Sequence, residues 1–246
     1  MPRRAHNALR PIQIVPHFLS HPEGSVLIMW GDTHVICTAT VEEKVPSWLE
    51  GKDKGWVTAE YDMLPRSTHT RKPRDSHKGK IPGRTQEIGR LIGRALRGVV
   101  HTGYLGERII TIDCDVIQAD GGTRTAAITG GYVALAFALA HLRREGRIKQ
   151  SPLLGHVAAV SLGIVDGEMF LDLDYHLDSR ADVDMNIIMT DDEKIVEIQG
   201  TAEQKAFSKE QLHDMLTLAY SALPKLVDLQ KRALEIHRGN KVTVTI

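Results

Sequence analysis

Apolar and polar positions are spaced so that strands and helices separate along the chain. Glu23 and Gly24 lead into SVLIMWGDTHVICTATV, two apolar runs divided by Gly31 and Asp32, which predicts a β-hairpin. Residues 56–61 read as a further strand. From 64 to 80 the text turns polar and basic and holds Pro65 and Pro73, the pattern of a long exposed loop. Over 84–97, Ile88, Leu91, Ile92, Ala95 and Leu96 recur at helical spacing and make an apolar face. Arg90, Arg94 and Arg97 form a second stripe on that helix. Residues 108–118 predict a buried strand and 125–144 a core helix; strands are then expected at 156–165, 168–174, 183–189 and 194–199. Ser208 opens a last helix with Gln211 placed for a capping box, and Pro224 is expected to break or kink it. The order of strands, helix, strand, helix, strands and helix predicts an α+β fold, mixed β-sheets with packed helices. Residues 1–238 are expected to form a single domain and 239–246 a short C-terminal tail, either a strand or frayed.

Composition and charge narrow the function classes. A chain of 246 residues with 42% hydrophobic content can bury a sizeable core. Lys and Arg number 31, equal to Asp and Glu, which excludes a globally basic nucleic-acid coat but not a local basic patch. The two cysteines, Cys37 and Cys114, lie among apolar residues, which argues against a disulfide scaffold and fits a reducing compartment. No apolar run follows the opening Met-Pro-Arg-Arg, so no signal peptide is read and a cytoplasmic location is expected. The uncharged stretch AAITGGYVALAFALAHL at 126–142 falls short of the roughly 20 residues of a bilayer span. Arg124 and Arg143 bound it, so it reads as a buried helix, with no membrane expected.

Three segments could carry chemistry. The first is 66–97, where ten basic residues, among them Arg66, Arg71, Arg74, Lys78, Lys80 and Arg84, face two acids, Asp75 and Glu87. A polyanion such as RNA would be attracted there, and a solvated face with intersubunit salt bridges fits the pattern equally. The second is Gln118-Ala-Asp-Gly-Gly-Thr-Arg124 between a strand and a helix. Paired glycines admit a ligand close to the backbone, a helix N-terminus offers free N–H groups, and Arg124 adds a fork for phosphate oxygens. Without Arg124 the segment would read as a tight turn, and the Gly-Lys-Ser/Thr ending of a Walker loop is missing. The third is the acidic set Asp172, Asp174, Asp178, Asp182 and Asp184, in which Asp182 and Asp184 share a side if they lie on a strand. Oxygen ligands suit Mg²⁺ or Mn²⁺, and an acidic loop with a capping Asp fits equally. His176 lies beside this set. A hydrolytic nuclease, a phosphotransferase or a binding protein could own all three segments.

Longer strings carry a resemblance: LRPI at 9, EGSVLI at 23, GWVTAEYDMLPRSTHTR at 55, GRTQEIGRLIGRALR at 83, DCDVIQADGGTRTAAITG at 113, DSRADVDMN at 178 and EIQGTAE at 197. From about Leu9 to Glu235 the chain resembles the ribonuclease PH family of bacterial tRNA-processing phosphorolytic nucleases. The resemblance implies a β-α-β-α arrangement and a homo-hexameric ring built as a trimer of dimers. It implies a tRNA nucleotidyltransferase that trims the 3′ end of precursor tRNA, and other RNA including rRNA, with inorganic phosphate. Nucleoside diphosphates are released, and the reverse reaction adds nucleotides. By the same resemblance Arg84, Gly122, Thr123 and Arg124 hold phosphate, and Asp178 and Asp184 serve catalysis and Mg²⁺ (or Mn²⁺). Arg66, Arg71 and Arg74 correspond to a loop tied to RNA contact and ring assembly. The sequence departs from the family at Leu177, where an acidic residue usually precedes the first essential aspartate. It departs also at Arg3-Arg4-Ala5-His6, which replaces an Asp-Gly-Arg, and at Phe137, where relatives often have a polar residue. A non-catalytic RNA-binding ring subunit and a hydrolytic metal nuclease are the competing readings.

Overall fold

The computed structural model describes residues 4–74, 79, 81–237 and 242–246. Lys78, Lys80 and Asp75 of the basic segment, and Arg3, lie outside the described residues. Period-two alternation builds the first sheet from β1 (Ile12–Pro16), β2 (Gly24–Trp30), β3 (Thr33–Glu42), β4 (Trp56–Met63), β5 (Ile109–Gln118) and β10 (Val244–Thr245). Its order is β10-β1-β2-β3-β5-β4. The β2–β3 hairpin turns at Gly31 and Asp32 with Trp30 opposite Thr33, and Gly31 takes a positive φ of 56° that a side chain would resist. Among the described residues only β4 and β5 run parallel, joined by the crossover through α1 (Gly83–Arg97) and the single turn α2 (Thr102–Leu105). The second sheet is antiparallel throughout, in the order β7 (Glu168–Leu171), β6 (Val157–Val165), β8 (Val183–Thr190), β9 (Ile195–Ala202).

Helix α3 (Thr123–Arg144) lies between the sheets, against β2 and β3 on one side and β6 on the other. Being covered all round explains its uniform apolarity: it is the one described helix long and apolar enough to cross a membrane, and 89% of that stretch is buried within the protein. One continuous buried core runs from Ile12 and Trp30 in the first sheet through Ile128 and Val133 to Val160 and Ile187 in the second. Small residues allow close approach; a Cβ on Gly24 would lie 1.8 Å from the Ala134 carbonyl oxygen. The α+β architecture of mixed sheets and packed helices is the one read from the sequence.

Several elements differ from that reading, the short helix α2 and the one-turn helix at Tyr175–Asp178 among them. Strand β1 was not anticipated, because its five residues, Ile12–Pro16, are too short an alternation to stand out and take their order from β2 and β10. Helix α3 starts two residues earlier than expected, which puts Thr123 and Arg124 in its first turn. Strand β7 ends at Leu171, leaving Asp172 and Asp174 in the loop beyond. Helix α5 (Lys209–Leu234) carries the expected Ser208–Gln211 capping box but runs unbroken through Pro224. Pro224 is on the exposed side, so the lost N–H bond falls at solvent while Leu223, Leu226 and Val227 keep the buried face packed. Residues 244 and 245 pair with β1 rather than fraying.

Gly24→Ala should destabilise the chain by about 3 kcal/mol, because α3 must retreat from β2. Gly83→Ala, whose Cβ meets nothing within 4 Å, should be near neutral. Urea unfolding midpoints of the two variants check this packing.

Candidate active site

The cleft is built around a buried ion pair that no motif announces. Asp172, at a positive φ of 61°, accepts hydrogen bonds from the Arg10 backbone N–H (2.6 Å), the Arg10 guanidinium (2.7 Å to Oδ1), Arg4 (3.0 Å) and the Trp30 indole N–H (2.9 Å). Arg10 is 7% exposed and also donates to the carbonyl oxygens of Asp120 and Gly121. The Thr33 hydroxyl donates to the Gly121 carbonyl at 2.6 Å and accepts from the Asp120 N–H at 2.8 Å. Gly121 lies so close to the next loop that a Cβ would meet the Leu173 carbonyl oxygen at 2.5 Å. The glycine turn is thereby clasped to the acidic segment.

That turn delivers Gly122, in the left-handed conformation at the N-cap of α3, with no side chain capping the helix. The free N–H groups of the first turn are therefore available to an anion. Thr123 is fixed by the Tyr61 hydroxyl at 2.8 Å, and burial raises the pKa of that phenol. Arg124 donates to Gln199 on β9 (3.2 Å) and approaches Glu87 on α1 (3.5 Å), while Gln199 donates to Glu87 (3.0 Å). Arg84, exposed in the first turn of α1, completes the basic side.

Opposite stand Asp178, at the end of α4 (Tyr175–Asp178), and Asp184 on β8. Arg84, Gly122, Thr123, Arg124, Asp178 and Asp184 all line one cavity of about 500 Å³, so all six residues singled out for phosphate and catalysis come together. Burial lifts the Asp184 pKa to about 6; repulsion from Asp178 adds to this, and Arg124 and Arg84 offset part of it. Asp178 is also raised, first by burial and partly offset by the same two arginines. Among the described residues no group of three or more His, Cys, Asp or Glu side chains gathers for a metal. The two carboxylates could offer oxygen ligands to a hard cation only if it took its other ligands from water or a bound molecule.

The other expected residues go elsewhere. Asp172 belongs to the ion pair, and Asp174 caps α4 by accepting from the Leu177 N–H at 2.9 Å. Asp182 precedes β8 and opens onto a separate cavity beside Phe207. His176 and Leu177 face a second cavity with Arg4, His6 and Arg180, on the far side of α4 from the cleft. Leu177 packs against Val165, Leu173 and Ala181, so the departure at this position alters a small apolar cluster and leaves the cleft intact. Arg66, Arg71 and Arg74 are exposed and do not line the cleft, although Thr68, His69 and Thr70 of the same loop do. The sequence reading missed those three residues and also Tyr175, Ser161 and Asn186. Asn186 had a signal, lying two positions beyond Asp184 on a strand. Tyr175 and His69, with ring centroids 5.9 Å apart, had none, because a loop and a one-turn helix meet there only in three dimensions.

Models of the 3′ exoribonuclease family match the chain twice, domain 1 over residues 8–140 and domain 2 over 155–222. Among solved structures, rice (Oryza sativa) Rrp46 is similar with a TM-score of 0.75 at 19% identity, covering 94% of this chain and 98% of that one. An Archaeoglobus fulgidus exosome chain, from a structure with RNA bound to the active site, gives 0.78 at 20% identity, covering 92% and 90%. An archaeal exosome core chain gives 0.74 at 19% identity, covering 93% and 89%. At these identities the likeness is one of fold.

The raised Asp184 pKa has a stability consequence. The folded group ionises near 6 and the unfolded one near 4, so above pH 6 its charge opposes folding, and below pH 4 that cost vanishes. Asp184→Asn should therefore stabilise the chain at pH 8 in chelator by on the order of 1–3 kcal/mol and change little at pH 4. Thermal unfolding at the two pH values measures this; a lower midpoint at pH 8 would contradict the placement.

Proposed function

This chain belongs to the 3′ exoribonuclease family, and we propose that it is a phosphorolytic member that shortens RNA from the 3′ end with inorganic phosphate as the attacking group. The observation that carries the reading is the convergence of two arginines and an uncapped helix N-terminus with two carboxylates on one cavity. A hydrolytic nuclease needs one anion site, for the scissile phosphodiester. A phosphorolytic enzyme must also seat inorganic phosphate beside that phosphodiester, and in this reading the Gly122–Arg124 turn with Arg84 is where it sits.

In this reading Arg84, Arg124 and the first-turn N–H groups of α3 hold phosphate in line with the terminal phosphodiester, and one of its oxygens attacks the phosphorus. The bond to the 3′ oxygen of the penultimate nucleotide breaks, leaving a shortened RNA with a 3′ hydroxyl and a nucleoside 5′-diphosphate. There is little covalent work for the protein beyond positioning and charge neutralisation. Asp178 and Asp184 would hold Mg²⁺ or Mn²⁺, which supplies positive charge to the transferred phosphoryl group when bound. Tyr175 and His69 at the cavity mouth offer rings against which a terminal base can stack. The same geometry run backwards adds nucleotides from diphosphates.

The substrate is proposed to be the 3′ end of precursor tRNA, with other RNA accepted, and the working form a cytoplasmic homo-hexameric ring. The exposed Arg66, Arg71 and Arg74 are available for ring contacts or RNA. The similarity to exosome chains keeps a non-catalytic ring subunit as the second reading. The intact carboxylate and arginine set, and the orientation of Leu177 away from the cleft, favour the enzyme.

Arg84→Ala should cut the trimming rate at limiting phosphate by about one to two decades, the worth of a charged hydrogen bond, and raise the phosphate concentration for half-maximal rate. Phosphate titration of the trimming of a tRNA with extra 3′ nucleotides, with Mg²⁺ present, tests it. A wild-type curve for the variant would remove Arg84 from the phosphate site, and a wild-type rate indifferent to phosphate would overturn the function.

A further inference from the structure

Helix α1 connects the cleft to an aromatic ridge that the proposed chemistry leaves unused. Trp48 is 52% exposed, an unusual position for an indole. It stands perpendicular to Trp56, with ring centroids 4.9 Å apart and planes at 86°. The Arg97 guanidinium lies over the Trp56 ring at 4.2 Å and donates to the Val57 carbonyl at 2.7 Å. Trp56 is thus covered on one face by a cation and held perpendicular to Trp48, and the ridge is pre-ordered. Arg97 is not simply part of the solvent stripe expected from the sequence; it is the strut of this assembly.

Four arginines of α1 mark the path between ridge and cleft, with Glu87 and Glu197 as the acids beside them. Arg84 stands at the cleft and Arg97 at the ridge, about 20 Å apart at 1.5 Å per helical residue. Arg90 and Arg94 face solvent between them; Arg94 pairs with Glu197 yet stays 57% exposed. A row of cations ending at an exposed aromatic ring is the chemistry of a single-stranded nucleic-acid track, in which arginines follow the phosphates and rings receive bases of any identity.

We infer that Trp48, braced by Trp56 and Arg97, stacks a base of single-stranded RNA several nucleotides 5′ of the terminus held in the cleft, with Arg90 and Arg94 contacting the phosphates between. This rests on the exoribonuclease reading and adds a second contact zone to it. Sequence-tolerant stacking suits an enzyme whose substrate shortens by one nucleotide per cycle, because each new register presents another base to the same ring. A trinucleotide would fill the cleft and not reach the ridge, whereas a decanucleotide would reach both.

The test is equilibrium binding of 3′-labelled oligoadenylates of three and ten nucleotides, without phosphate so that nothing turns over. Anisotropy and tryptophan fluorescence are read together; Trp30 is buried, so any quenching reports Trp48 and Trp56. Wild type should bind the decamer much more tightly than the trimer, with fluorescence quenched by the decamer alone. Trp48→Ala should lose about tenfold in decamer affinity and flatten the length dependence, and Trp48→Phe should recover most of it. Arg90→Ala with Arg94→Ala should weaken decamer binding and shallow its salt dependence. Unchanged decamer affinity in a folded Trp48→Ala protein overturns the ridge while leaving the cleft reading standing. Quenching that rises with protein concentration in the absence of RNA assigns the ridge to a second copy of the chain and also overturns it. Failure of wild type to bind RNA of either length overturns the ridge and the exoribonuclease reading together.

Discussion

The ion pair of Arg10 with Asp172 is the constraint on which the cleft depends. It joins the start of β1 to the loop after β7, two places far apart in the chain, and it does so where almost no water reaches. A buried carboxylate in that position is tolerable only because two arginines, a backbone N–H and an indole N–H meet it. The same guanidinium reaches the carbonyls of Asp120 and Gly121. One side chain therefore sets both the glycine turn that opens onto the cavity and the segment that carries Asp178. Removing either partner would break a buried ion pair, a cost of about 3–5 kcal/mol, leaving Asp172 with Arg4 or Arg10 with Asp120, and would free the two walls to separate.

Around that clasp the fold arranges opposite charges at a spacing that resists collapse. Arg124 is held back by Gln199 and Glu87, so its fork stays oriented without closing onto the carboxylates. Burial raises the proton affinity of both Asp184 and Asp178, Asp178 adds to the shift at Asp184, and the arginines compensate only in part. The result is a site under electrostatic tension when empty, in which a cation and a phosphate would each relieve one side. Such preorganisation sacrifices stability for the alignment that phosphoryl transfer needs.

Much of this was legible in the sequence, for reasons that can be traced. The β2–β3 hairpin, α1, α3 and α5 were readable because each buries one patterned face or, for α3, every face. The six residues that meet in the cleft lie in local strings whose types already suggested phosphate and hard-metal chemistry, and resemblance gave them their roles. What stayed hidden depends on long-range contact. Asp172 looked like one more acid in a cluster, because its partners lie more than 140 positions away. Nothing in the text separates Asp182 from Asp184 until the loop before β8 turns one aside. Arg97 reads as a third member of a stripe until Trp56, forty-one positions earlier, arrives beneath it.

The central claim is that the Gly122–Arg124 turn with Arg84 holds the attacking phosphate. Incubating the protein, Mg²⁺ and unlabelled RNA with radiolabelled inorganic phosphate, and separating the released nucleotides, examines that claim at the bond it concerns. The account predicts label in the β-phosphate of nucleoside diphosphates, in one-to-one proportion with nucleotides removed. Unlabelled nucleoside monophosphates at the same rate would show that water attacks and that the Gly122–Arg124 turn serves some other anion.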